Sequence, residues 1–185
     1  MKVTKHNARA IAKKQRREQR GKNKSSTVRR NKELQRVKMR LSLSSKEGHV
    51  GSIGEYIATI EKDITTITNA TQPAIDLMDI ICGNEQYRVW RDANNERLER
   101  LIGYIEMSDT IVSELRRNRD LAKSQLDEFK ATDFENREDM IAFAYSTILS
   151  IATVVDTTRE QYEEVGVQIN AIIHAVKPEL ETILE

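Results

Sequence analysis

One cysteine, Cys82, serves a chain of 185 residues, so no disulfide can form within it and no zinc site can be built from thiolates. A reducing setting is expected, either the cytoplasm or the interior of a virus or phage particle. Proline is almost missing, at 2 residues, and glycine is scarce at 7, while charged residues reach 32%. Sheets need the turns that those two residues make, so this balance predicts long helices. Aromatic residues, at 5%, are too few to fill a rounded core and favour an elongated bundle lined with aliphatics. None of them precedes Tyr56.

The chemistry of catalysis is equally thin. The three histidines, His6, His49 and His174, stand at neither E-x-x-H nor H-E-x-x-H spacing, and no G-x-x-x-x-G-K-[ST] loop occurs. Pairs of carboxylates at helical spacing, such as Asp76/Asp79 and Glu160/Glu163, read as solvated faces. Cys82 adjoins an apolar seam and reads as an inert buried thiol. A non-enzyme without metal or cofactor is therefore expected. No apolar run of about 7–15 residues follows the charged N-terminus, so no secretory leader is expected. The N-x-[ST] tripeptides at Asn23 and Asn69 are then chance matches.

What the chain does have is charge, unevenly placed. Its net charge of +1 conceals 17 Lys+Arg against 3 Asp+Glu in residues 1–50, a balance of +14. The rest holds 13 basic and 26 acidic groups, a balance of −13. Such a partition describes a polyanion-binding arm on an acidic body. Residues 1–47 are read as a basic arm and hinge, and 48–185 as a helical bundle.

The arm has too few apolar residues to bury much, and its like charges repel, so it is expected to be disordered or nascently helical when free. Two pieces are expected to become helical on binding. These are Ala8 to Arg20, closed by Gly21, and Thr27 to Leu43, with Leu34, Val37 and Leu41 on one face. Ser44 to Gly54, with three glycines and three serines before the body's second apolar turn, reads as a hinge. The candidate phosphate-binding cations are Arg9, Lys13, Lys14, Arg16, Arg17, Arg20, Lys22, Lys24, Arg29, Arg30, Lys32, Arg36, Lys38 and Arg40. Cations spread along a flexible arm neutralise phosphates and release counterions, with little regard to sequence. The lack of aromatics there argues against base stacking. An acidic protein, the chain's own acidic body and an anionic membrane surface are competing targets.

The stretch NARAIAKKQRREQR, Asn7 to Arg20, resembles the arginine-rich RNA-binding helices of the N family of lambdoid phage antiterminators. The resemblance implies that Arg9, Lys13, Arg16, Arg17 and Arg20 grip an RNA hairpin. It covers fourteen residues and lies mostly in composition; the rest of the chain departs from that family, whose members are largely disordered.

The body reads as three helices, at about 52–82, 85–130 and 133–177. Ser52 with Glu55, and Thr132 with Glu135, have the spacing of capping boxes. The first seam runs Ile53, Ile57, Ile60, Ile64, Ile67, Thr71, Ala74, Met78, Ile81, in alternating steps of four and three. Pro73 lies within it, and a kink or break is expected near Asn69–Gln72. Gly83 is read as the terminator and Asn84 as the next cap. The second seam runs Leu98, Leu101, Ile105, Ser108, Val112, Leu115, Arg119, Ala122, Leu126, Phe129, with Tyr87 and Trp90 out of register before it. The third runs from Ile141 to Val176, and Lys177–Pro178 is expected to end it. Short turns make neighbouring helices antiparallel. The expected fold is all-α: an elongated, coiled-coil-like antiparallel bundle of three long helices with a basic arm. A fourth helix can come from the arm or from another chain.

Residues 140–155, MIAFAYSTILSIATVV, carry no charge and are apolar at 12 of 16 positions. Asp139 and Asp156 bracket a run shorter than the roughly 17–25 residues of a membrane span, so a buried core helix is expected instead. Because the run is apolar nearly all round, two neighbours cannot cover it, and self-association or a protein partner is expected over Ile141, Phe143, Ile148, Leu149, Ile151, Val154 and Val155. Three functions fit: a structural or assembly protein of a particle such as a virion, holding nucleic acid with its arm; a regulatory RNA-binding factor acting on transcription or translation machinery; and a coiled-coil adaptor with no nucleic-acid role.

Overall fold

The computed structural model describes residues 31–184. Every described element is helical and no strand occurs among the described residues. Residues 31–43 form α1; then come α2 (Lys46–Gly83), a 3-10 turn (Glu85–Tyr87), α3 (Arg88–Ala93), α4 (Asn95–Ala131) and α5 (Arg137–Leu184). The chain divides into two compact units, Met1–Ser45 and Lys46–Glu185.

In the first unit, Leu34, Val37 and Leu41 are the buried positions of α1, as their shared face predicts. Ser44 ends the helix, its N–H donating to the Leu41 carbonyl and its hydroxyl to the Arg40 carbonyl. The predicted cap at Thr27 and the helix Ala8–Arg20 lie outside the described residues.

The second unit holds the three longest helices, α2, α4 and α5, each packed against the other two. Most seam positions are buried as expected. Asp63 and Leu77 nevertheless take inner places one residue before Ile64 and Met78, which are half-buried. A helix packed against two neighbours buries a face wider than a two-stranded seam. The polar residues on these faces satisfy themselves locally. The Thr71, Ser108 and Thr158 hydroxyls donate to the carbonyls of Ile67, Tyr104 and Val154, one turn back in the same helix.

The helix ends depart from expectation in six places. First, α2 begins at Lys46, six residues before the predicted cap, so the expected hinge shrinks to Ser44–Ser45. Ser52 is a buried interior residue whose hydroxyl donates to the Gly48 carbonyl rather than capping. Second, α2 runs unbroken through Pro73; Asn69, whose carbonyl loses its donor, is exposed to water that can replace it. Third, Gly83 is not in the left-handed conformation of a terminator. The end of α2 is closed instead by the Arg91 guanidinium, which donates to the carbonyls of Ile81 (3.0 Å) and Cys82 (2.7 Å). A cation there also offsets the negative end of the helix dipole.

Fourth, the predicted second helix is broken at Asn94. Its side chain donates to the Trp90 carbonyl, ending α3, while its own carbonyl accepts from Arg97 and Leu98 to open α4. Asn84 does cap, its Oδ1 accepting from Gln86 N–H of the 3-10 turn. Fifth, Thr132 closes α4 rather than opening α5; residues 132–136 are non-helical and Asn136 is the true cap. Its Oδ1 accepts from Asp139 N–H, as an N-cap does, and its Nδ2 donates to the Asp139 carboxylate, a bond between side chains. Sixth, α5 continues past Pro178 to Leu184, with Leu180 buried beside Val176 in the same core as Tyr87 and Leu98.

Candidate nucleic-acid interface

Of the fourteen candidate cations, Arg9, Lys13, Lys14, Arg16, Arg17, Arg20, Lys22, Lys24, Arg29 and Arg30 lie outside the described residues. The other four stand on α1, and all four are exposed. Lys32, Arg36 and Arg40 are four residues apart, so they rise one above another along one face of the helix. Lys38 flanks the buried row of Leu34, Val37 and Leu41 on its other side. Glu33 is the one acidic side chain in residues 31–43, leaving a balance of +3 against four cations.

The expected partner surface on α5 divides in two. Ile148, Ile151 and Val155 are already buried in this chain, whereas Ile141, Phe143, Leu149 and Val154 are half-buried. Only 28% of the most apolar stretch of α5 is buried. By length and composition α5 is, among the described residues, the one helix sufficient to cross a membrane. Phe143 is committed to the fold by its ring contacts with Phe129 (5.7 Å) and Phe134 (6.0 Å).

These are the chain's three phenylalanines, and they gather at one place with His49. His49 is fully buried with its ring 6.0 Å from that of Phe129. Lys46 stands over Phe134, 5.7 Å from the ring centre, and its Nζ donates to the carbonyls of Lys130 (3.0 Å) and Thr132 (2.7 Å). One cation thus joins the first turn of α2 to the last carbonyls of α4. At another place Glu179 accepts from the Arg97 guanidinium (2.8 Å) and from the Trp90 indole N–H (3.1 Å). The Arg97 hydrogen bond holds the Glu179 carboxyl below the usual carboxylate range; slight desolvation opposes it and the Trp90 bond reinforces it.

Neither of these two polar locks carries a sign in the sequence, and the same holds for a third at Asp63. Trp90 and Tyr87 stand out in the sequence only as out of register, and Asp63 lies one residue off the first seam. Asp63 receives two hydrogen bonds from Arg159, at 2.7 and 2.9 Å. Arg119, which interrupts the second seam, pairs with its neighbour Asp120 (2.9 Å). Cys82 is exposed, correcting the expected buried thiol. The apolar seam passes through Ile81, and the next residue already faces water. Among the described residues no three His, Cys, Asp or Glu side chains come together as a metal site. No protein-family model, no curated protein and no solved structure matches the chain.

Proposed function

We propose that the protein is a non-enzymatic structural or assembly protein whose basic N-terminal arm binds nucleic acid largely without regard to sequence. The observation that carries this reading is the segregation of charge, +14 over residues 1–50 against −13 beyond. The exposure of Lys32, Arg36, Lys38 and Arg40 supports it. The body is inferred to be an elongated antiparallel bundle of α2, α4 and α5. The Lys46 clamp on the end of α4 and the Arg97–Glu179 pair between the start of α4 and the end of α5 favour that arrangement. The half-buried residues Ile141, Leu149 and Val154 are where a second copy or a particle protein would pack. The setting is the cytoplasm or the interior of a virus or phage particle.

A salt-titrated binding assay on the full chain, with RNA and DNA of unrelated sequences, tests the reading beside light scattering. Engagement of about 6–10 phosphates gives a loss of about 10³–10⁵ in affinity between about 50 and 200 mM salt, similar for all sequences. A mass above that of one chain is expected from the scattering. A strong preference for one RNA hairpin would favour the regulatory factor suggested by Asn7–Arg20. Absence of binding would leave the adaptor.

A further inference from the structure

Resting on the nucleic-acid reading, we infer that the polymer bound is a double helix, gripped along its phosphates by the row Lys32, Arg36 and Arg40. From Lys32 to Arg40 is eight residues, or about 12 Å of α-helix. That length spans a stretch of duplex carrying about seven phosphates on its two strands, against three or four on one strand, because a duplex carries a charge every ~1.7 Å and a strand every ~3.4 Å. The row is set on a formed helix, with Leu34, Val37 and Leu41 buried on another face, so its spacing is fixed before binding. A stiff row of point charges suits a stiff row of phosphates.

The alternative, a single strand, gains its affinity differently. Base stacking on aromatic rings contributes about 1–3 kcal/mol per base in such sites. No aromatic residue precedes Tyr56, and Tyr56 itself is half-buried in α2. Only the phosphate component is then left. It favours the duplex, because each neutralised phosphate contributes about 0.9 to the salt slope on duplex DNA and about 0.7 on a single strand. For the four cations of α1 the difference is about 0.8 log units per decade of salt, or roughly sixfold in affinity at 0.1 M. Cations elsewhere in the arm widen it.

The test is fluorescence anisotropy of the full chain with three labelled probes of equal length: mixed-sequence duplex DNA, duplex RNA and an unstructured single strand. Both duplexes, or either one, binding about sixfold or more tightly than the single strand supports the proposal, and the better duplex identifies the preferred helical form. Replacing Lys32, Arg36 and Arg40 together by glutamine lowers the duplex salt slope by about 2.7. The charge-preserving set Lys32→Arg, Arg36→Lys and Arg40→Lys leaves it in place, with helicity of both sets checked by circular dichroism. A single strand bound as tightly as the duplexes overturns the inference while leaving the nucleic-acid reading intact, and so does an unchanged slope in the glutamine set. Failure to bind any of the three probes overturns both.

Discussion

Replacing Phe129 by alanine removes the ring on which one part of the core is assembled. Phe129 has no exposed surface and touches three other rings, those of His49, Phe134 and Phe143, at 6.0, 5.1 and 5.7 Å. Loss of burial alone costs about 1.5–3 kcal/mol. The three tilted ring pairs add about 0.5 kcal/mol each. The cavity left behind brings the total to about 3–5 kcal/mol, the usual range for phenylalanine to alanine in a packed interior. With a urea dependence of about 2 kcal/mol per molar, the unfolding midpoint falls by about 2 M. Phe134 is half-buried and meets two rings, those of Phe129 and Phe143, so Phe134→Ala is expected to lose about half as much. The assay is equilibrium urea unfolding followed by far-ultraviolet circular dichroism. A Phe129→Ala loss under about 1 kcal/mol, or one no larger than that of Phe134→Ala, would refute the placement of this ring at the centre of the cluster.

Four further outcomes follow from the same geometry. Gly51 and Gly54 lie inside α2 with open space where a Cβ would stand and no left-handed backbone, so alanine at either raises stability by about 0.5–1 kcal/mol, read from the urea midpoint. Glu179 has a lowered folded-state pKa, so its contribution is present above its ordinary value of 4.5 and is lost as the pH falls through the folded value. Fluorescence of Trp90, the chain's one tryptophan, should show an acid transition that Glu179→Gln abolishes. Arg159→Met strands the mostly buried Asp63 carboxylate and destabilises more than Asp63→Asn, which leaves a half-exposed guanidinium in water; equal losses in thermal melts would count against the pair. Cys82, being exposed, reacts with a thiol reagent in the folded chain at one equivalent and without a lag.

The helical class and most of the inner residues were legible because apolar side chains three and four apart report which side of a helix is dry; Leu77, Ile111 and Ile173 are buried beside the seams rather than on them. That rule does not report where a helix stops. Ser52–Glu55 and Thr132–Glu135 have the right spacing for caps, but a hydroxyl inside a helix can donate back one turn, as Ser52 does, and leave the helix unbroken. Asn94 and Asn136 became the real punctuation because their short amides reach backbone groups within three or four residues, a competition that spacing alone leaves undecided. Prolines 73 and 178 failed as breaks for a different reason. The faces on both sides of each are held by neighbours, Thr71 and Ala74 in one case and Val176 and Leu180 in the other, and that packing outweighs one missing backbone bond. The α1 cations were legible from composition, and their alignment followed from i, i+4 spacing. The locks at Lys46, Arg91 and Glu179 join residues far apart or across a turn, and a single sequence carries no local sign of them.

Those locks answer a problem that the seams create. A face made largely of isoleucine and valine repeated every three or four residues packs almost as well after sliding by one heptad, about 10 Å, because each knob finds another apolar hole. Burial therefore stabilises association without choosing a register. The polar cross-links choose it. After such a slide Asp63, 12% exposed, would lose the Arg159 guanidinium and keep its desolvation, while Lys46 would leave the last carbonyls of α4 and Glu179 would leave both Trp90 and Arg97. For the mostly buried Asp63 carboxylate an unmade charged bond costs about 1–3 kcal/mol, whereas water replaces the lost partners of the more exposed Lys46 and Glu179, which contribute at most about 1 kcal/mol each. Against a domain stability of about 5–15 kcal/mol, that is enough to favour one register over its neighbours. Greasy seams thus supply the drive to associate, and a few charged residues, each tied to one partner position, decide which alignment results.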